Sequence, residues 1–331
     1  MADAASRVGV LVYRDCFASE AFAVLDVLTL ANRVAEFNGQ PVPFITTLHA
    51  ARPGAVSASG GIEMRAPRMR YGLDLLVIPG FDLSPVQDID GRLETWGDEI
   101  ALLRRVAARG IPTASICVGA FLLGAAGMLD GRRATTAWLF ADELGRRHPE
   151  AIVDRDALLI EDGPITTTGA FSASLDLALH LVRLRAGATV ARTTSKITLT
   201  TPGRALQSPY IDETLDGSVR QGFSTHVRRD LLANLDREYN LAALAAAHHV
   251  STRTMLRRFR AETGQTPLDF VQAARVSRAK QLLEATDLSI EQIARSVGYR
   301  DTGTFRRLFS GAVGLRPSDY RRAFATRDAA R

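Results

Sequence analysis

Apolar positions along the chain follow two different rhythms. In the first half, short and almost wholly apolar runs alternate with longer stretches of helical period. Val8 to Tyr13, Leu73 to Pro79 and Pro112 to Ile116 are such runs, with further strands expected at Pro43 to Leu48, Ala134 to Thr136, Leu158 to Glu161 and Ile165 to Thr168. A strand without a polar face needs cover on both sides, which is the mark of a parallel sheet. Between the runs, Phe22, Val24, Leu25, Leu28 and Ala31 fall on one helical stripe. Further helices are expected over Ile100 to Ala108, Gly119 to Ala126 and Phe171 to Arg185. Strands alternating with helices predict a doubly wound α/β domain.

From Val227 onward the rhythm is helical only, and it repeats. Leu241, Leu244, Ala245 and His248 recur as Ile290, Ile293, Ala294 and Val297, 49 residues later; Val250 recurs as Tyr299, and Phe259 as Phe309 at an offset of 50. Each set gives one buried helix face with a small Ala at the crossing. A turn follows, and then a second helix with Ser251 or Asp301 in the N-cap place. These are two helix-turn-helix units, at about 241–260 and 289–309. Their second helices are expected to bury Met255, Leu256 and Phe259, or Phe305, Leu308 and Phe309. Arg253 and Arg257, or Thr302, Thr304, Arg306 and Arg307, then face outward, where such a helix can enter the major groove of double-stranded DNA. Pro267 opens a third helix between the units, long enough to hold the recognition helices about 34 Å apart, one turn of DNA.

Charge follows the same division. The net charge of the 331 residues is +5. From His226 onward 19 basic residues stand against 11 acidic, and before it 22 against 25, so the positive charge lies with the helix-turn-helix units, as phosphate contacts require. Hydrophobic content of 46% describes a globular chain, and its length suits two domains. No apolar run approaches a membrane span and the first residues lack a signal peptide's apolar core, so a cytoplasmic protein is expected. Two cysteines, Cys16 and Cys117, make neither a disulfide framework nor a zinc site, so no metal and no cofactor is expected.

Cys117 nevertheless stands where chemistry would. It ends a strand and opens a helix within Ala114 to Gly124, with small residues behind it, which is the geometry of a nucleophile elbow. The adjoining helix N-terminus should favour the thiolate. In a sheet of this kind, ligands bind beyond the carboxyl ends of the strands, the edge on which Cys117 falls.

Two resemblances follow from these stretches. Residues 274–283 (Ala-Arg-Val-Ser-Arg-Ala-Lys-Gln-Leu-Leu), 289–294, Gly298 with Tyr299, and 314–322 (Gly-Leu-Arg-Pro-Ser-Asp-Tyr-Arg-Arg) resemble the AraC family of transcription regulators, over about 228–325. That resemblance implies that residues at Arg253, Arg257, Gly303, Thr304 and Arg307 approach base edges. Gly303 has no side chain to read with, so the second helix should carry less sequence information. The Cys117 stretch, with 130–136 and 166–180, is similar to the ThiJ/PfpI family of the class I glutamine amidotransferase-like, flavodoxin-like fold, over about 7–186. The pair of domains matches the GlxA-like subgroup of regulators.

The family's chemistry uses the elbow cysteine, an acid that maps to Glu20, and often a histidine. Here the two histidine places hold Val118 and Ala137. Glu20, Cys117, Val118 and Ala137 are therefore expected to line a pocket for a small-molecule effector, with Cys117 and Glu20 as vestiges of a catalytic pair. The implied organisation is an amidotransferase-like sensing and dimerisation domain at 1–186, a linker at 187–226, a DNA-binding domain at 227–325 and a tail at 326–331. The implied protein is a homodimeric transcription regulator that responds to an amino-acid-like or amine metabolite. The alternative is a cysteine-dependent hydrolase or glyoxalase-type enzyme tethered to DNA.

Overall fold

The computed structural model describes residues 4–83, 89–200, 204–211 and 223–325. Residues 1–207 and 208–331 form two units. The expected tail at 326–331 and parts of the expected linker lie outside the described residues.

In the first unit the chain runs β1 (Ser6–Leu11), α1 (Ala18–Phe37), β2 (Phe44–His49), β3 (Gly54–Ser57), β4 (Glu63–Ala66), β5 (Leu75–Ile78), α2 (Ile89–Thr95) and α3 (Gly97–Ala108). It continues through β6 (Thr113–Ser115), α4 (Ala120–Ala125), β7 (Arg133–Ala134), α5 (Ala141–Arg147), β8 (Ile152–Val153), β9 (Leu159–Asp162), β10 (Ile165–Thr168) and α6 (Ala173–Ile197). Six strands make one sheet in the order β2-β1-β5-β6-β10-β9. All neighbours are parallel except β9, which folds back antiparallel on β10. The parallel sheet expected from the apolar runs is thus a mixed one, because only Gly163 (φ +59°) and Pro164 separate β9 from β10. So short a link permits a hairpin and no crossover.

From β1 the chain moves outward to β2, and from β5 it moves the other way to β6. Right-handed crossovers therefore place α1 and α3 on opposite faces. The sheet is buried from both sides: Val8, Val10, Leu76, Val77, Ile78 and Ala114 are at most 1% exposed.

Two sequence expectations need correction, and one element was missed. The Ala134 segment does not extend the main sheet, because β7 pairs with β8 in a separate two-stranded ribbon. The β3–β4 hairpin was not anticipated, although β4 alternates exposed Glu63 and Arg65 with buried Met64 and Ala66. Finally, the stretch from 187 expected as linker is helical to Ile197. α6 breaks at Gly187 (φ 82°) and resumes, since Val190 and Thr194 continue a buried stripe.

The second unit is helical: α7 (Phe223–Ala233), α8 (Leu241–Ala247), α9 (Thr252–Thr263), α10 (Pro267–Ala285), α11 (Ile290–Ser296), α12 (Thr302–Val313) and α13 (Pro317–Phe324). It has two small cores. Met255, Phe259, Phe270 and Val271 pack with Val227, Leu231, Leu244 and Ala245, while Phe305, Phe309 and Tyr320 pack with Val276, Ala279, Leu283, Ile293 and Ala294. α10 gives its first half to one core and its second half to the other, which is why it shows no polar stripe. Its two buried cations are satisfied by carbonyls: Arg275 Nε donates to Leu235 O at 2.9 Å, and Lys280 Nζ donates to Ser208 O and Ile211 O at 2.7 Å each. Gly264 and Gly314 end α9 and α12 in the left-handed conformation, and Pro267 and Pro317 open the next helices. The duplication therefore extends beyond the two turns into the third helix of each set.

Candidate ligand pocket and nucleic-acid interface

The carboxyl ends of β1, β5 and β6 meet where the sheet changes direction, the place that doubly wound folds offer a ligand. Each end supplies one part of the site. After β6 the chain stays extended through Ile116, turns at Cys117 with φ +53°, makes one tight turn over Cys117–Gly119 and enters α4. A non-glycine residue in that region is uncommon and is held here by its surroundings. The Cys117 N–H donates to Gly169 O at 3.0 Å, and the Thr136 hydroxyl donates to Cys117 O at 2.8 Å. Gly119 lets the turn lie on the end of β5, since a Cβ there would come within 2.6 Å of Pro79 O.

Glu20 comes from the first turn of α1 and is fully buried. One carboxyl oxygen accepts the Gly80 N–H at 2.6 Å; the other has no hydrogen-bond partner among the described residues. A Cβ on Gly80 would lie 3.0 Å from Cys117 Cβ and 3.1 Å from a Glu20 oxygen, so the two side chains converge over that glycine. Burial pushes the Glu20 carboxyl up to about 8, against the pull of the Gly80 N–H. Burial, with the nearby Glu20 as a second cause, also pushes the Cys117 thiol well above its ordinary value. That direction runs against the expected thiolate. α4 is only six residues long, and desolvation of the buried sulfur outweighs it.

Val118 and Ala137 are 1% and 5% exposed. Val118 follows Cys117 directly, and Ala137 lies beside Thr136, which holds the Cys117 carbonyl. The four expected pocket residues thus gather at one edge. A separate hollow of about 290 Å³ lies at the opposite edge of β6 and β10, lined by Arg104, Ile111, Met128, Arg132 and Ile165.

Sequence reasoning missed Gln207, which is 2% exposed and bonds to Thr135, Thr136, Ala157, Trp138 and Ala170 around the same edge. A polar residue between breakers carries no periodic signal, so nothing in the pattern could have marked it.

In the second unit the N-caps fall where they were expected: Ser251 Oγ accepts from Thr254 N at 3.2 Å, and Asp301 accepts from Thr304 N at 2.6 Å. α9 buries Met255 and Phe259 and exposes Arg253 and Arg257; α12 buries Phe305 and Phe309 and exposes Arg306 and Arg307. Thr302 and Thr304 are half-buried at the start of α12. Leu256 was expected inside, but it is 37% exposed and lines a shallow groove with Thr252, Arg253, Arg257 and Arg260. It follows Met255 by one position, about 100° around the helix, and so turns off the buried face. Arg306 is paired with Glu291 at 2.9 Å, whereas Arg253, Arg257 and Arg307 make no ion pair among the described residues. Arg258 stacks on Phe223, 4.2 Å from the ring centre.

Comparison with known proteins agrees with both halves. Residues 17–184 match the DJ-1/PfpI family, and residues 244–323 match a helix-turn-helix domain family. The chain is 30% identical over 322 residues to the HTH-type transcriptional regulator GlxA of Rhizobium meliloti (strain 1021), covering 93% of this chain and 94% of that one. It is 30% identical over 280 residues to the HTH-type transcriptional regulator CdhR of Pseudomonas aeruginosa, covering 82% and 80%. It is also 32% identical over 142 residues to isonitrile hydratase of Pseudomonas putida, covering 41% of this chain and 58% of that enzyme. No helix among the described residues is long and apolar enough to cross a membrane. The chain belongs to the GlxA-like AraC-family transcription regulators, in which a DJ-1/PfpI domain precedes an AraC-type DNA-binding domain.

Proposed function

We propose that this DNA-binding regulator reads its operator through Arg253 and Arg257 of α9 and Thr302, Thr304, Arg306 and Arg307 of α12, under control of a small metabolite held at the Glu20, Cys117, Val118 and Ala137 edge. The observation that carries the reading is the division of each second helix into an aromatic or Met face in the core and an arginine face in solvent. Arginine bidentate to guanine discriminates by about 1–3 kcal/mol per base. Selection of bound duplexes from a random pool by the full chain tests this. The expected result is one enriched motif, of which Arg253→Ala and Arg257→Ala each relax one or two adjacent positions while leaving the rest intact. An unrelaxed motif in both variants refutes the assignment to α9. Arg306, held by Glu291, should matter less than Arg307.

Dimerisation of the N-terminal unit belongs to the same reading. Light scattering at twice the monomer mass supports it, and a monomer under binding conditions removes it.

The likeness to isonitrile hydratase favours a second reading, that the elbow retains turnover. Against it stand the burial of Cys117 and Glu20, which raises both groups above their ordinary values, and the apolar Val118 and Ala137 in the two histidine places. The expected result is no consumption of an isonitrile by the purified chain. Turnover that disappears in Cys117→Ala restores the enzyme reading.

A further inference from the structure

The segment Arg204 to Gln207 closes the N-terminal unit and is strapped to it. Leu158 N donates to Ala205 O at 3.0 Å, and Gln207 N donates to Asp156 O at 2.8 Å. Arg204 pairs with Asp176 and reaches the Ser172 hydroxyl at 3.2 Å. The strap ends in the Gln207 side chain, whose every polar atom is matched. Its Oε1 accepts the Trp138 N–H at 3.2 Å and the Ala170 N–H at 3.3 Å. Its Nε2 donates toward Thr136 O at 2.8 Å, Ala157 O at 3.1 Å and Thr135 Oγ1 at 3.2 Å.

Two N–H groups facing one oxygen, and three oxygens facing one NH₂, form a receptor specific for a primary carboxamide. A carboxylate would turn an oxygen onto three acceptors, and an amine would leave the Trp138 and Ala170 N–H groups unmatched in the interior. Gly169 forms the floor, where a Cβ would lie 2.6 Å from Gln207 Oε1. The receptor is built from the same backbone that holds the elbow. Gly169 O receives the Cys117 N–H, and Thr136 both accepts from Gln207 and donates to Cys117 O.

We propose that this is a carboxamide-binding site in which Gln207 is a replaceable internal occupant, and that a small molecule bearing a primary carboxamide competes with it. The site rests on its hydrogen bonds alone. Only its effect on DNA binding rests on the sensing reading above. Gln207 is the last residue of the N-terminal unit, so release of residues 204–207 adds four residues to the connection into the DNA-binding unit. That is about 13–14 Å of reach at full extension. Occupancy of the receptor thereby sets the length of free chain that follows the N-terminal unit.

The test uses the full chain, with acetamide as the probe and neither DNA nor effector present, so its failure is separable from failure of the regulator reading. Gln207→Ala is expected to lower the thermal midpoint of the N-terminal unit and to speed tryptic cleavage after Arg204 at least about tenfold, as an opened segment should. A four-atom amide binds weakly, so about 0.1 M acetamide is required to restore more than half of the lost midpoint. Acetate and N,N-dimethylacetamide should restore none. In the unaltered chain, acetamide raised to about 1 M should at least double the cleavage rate after Arg204, and dimethylacetamide should not. If Gln207→Ala does not fold, Gly169→Ala serves, because it expels Gln207 without removing a polar group. It should show the faster cut without acetamide rescue. In Gln207→Ala, rescue by acetate equal to that by acetamide, or no rescue by acetamide, overturns the receptor. Cleavage of the unaltered chain that ignores acetamide overturns replaceability.

Discussion

Glu20 is the residue whose surroundings depart furthest from what its type prefers. A carboxyl with one oxygen on the Gly80 N–H, the other unmet and no solvent is more stable protonated, which is why it is pushed up to about 8. Its folded value thus lies above its unfolded one of 4.5. The folded chain keeps a proton that the unfolded chain releases, so this contribution is fully present below about 4.5 and is lost as the pH rises through 8. The loss amounts to at most a few kcal/mol. Glu20→Gln should flatten the fall in thermal midpoint of the N-terminal unit between about pH 5 and 8, and parallel curves for the two proteins would refute a buried neutral acid. Cys117 follows the same logic. Its thiol should react with iodoacetamide at pH 7.5 at least about a hundredfold more slowly than a free peptide thiol, by mass spectrometry. Comparable rates would restore the thiolate expected from the turn. That turn was legible because it is local: Ala114 to Gly124 writes strand, elbow and helix in one stretch. The enclosure that opposes its chemistry was not, since Gly80, after β5, and Glu20, in α1, reach Cys117 from places distant in the chain.

Among the elements, the two helix-turn-helix units show how one backbone is met by different residues. The tight turn of the second unit is Gly298, at φ +84°, where a Cβ would strike Leu235 O at 2.4 Å. In the first unit the matching place is His249, also left-handed at φ 53°, exposed and accepted with its side chain. Left-handed backbone costs a non-glycine residue about 1–2 kcal/mol, and a collision with a carbonyl adds to that. His249→Gly should therefore change stability by less than about 1 kcal/mol, whereas Gly298→Ala should lower it by about 2 kcal/mol or more in denaturant titration. Equal effects would show that the Leu235 carbonyl does not distinguish the two turns. The helices themselves were readable, because spacing at three and four residues together with Ser251 and Asp301 caps is local information. Leu256 was misplaced for the converse reason. An apolar residue beside Met255 reads as core until the rotation of α9 against Val227 and Phe270 is known. Likewise, Val190 and Thr194 could extend α6 into the expected linker only once their burial was seen.

At the scale of the whole chain, counting charges overstates the surface offered to phosphate. The excess of basic residues after His226 includes Arg275 and Lys280, each 6% exposed and bound to backbone carbonyls inside the second unit. Those two hold α10 to the segments before α8 and after Gln207, and they are lost to DNA. Arg258 lies against Phe223, and Arg306 is shared with Glu291. The salt dependence of DNA affinity reports only the cations that displace counterions, with a slope of about −0.9 per phosphate contact. Lys280→Met should leave that slope unchanged within error while lowering stability by about 1–3 kcal/mol, because Ser208 O and Ile211 O lose their donor. Arg307→Ala should leave stability near that of the parent and change affinity together with its salt slope. Filter or anisotropy titrations at several salt concentrations separate the two. A slope that falls by about one unit in Lys280→Met would mean that this lysine leaves its carbonyls to meet the DNA, and α10 would then be part of the interface rather than the strut beneath it.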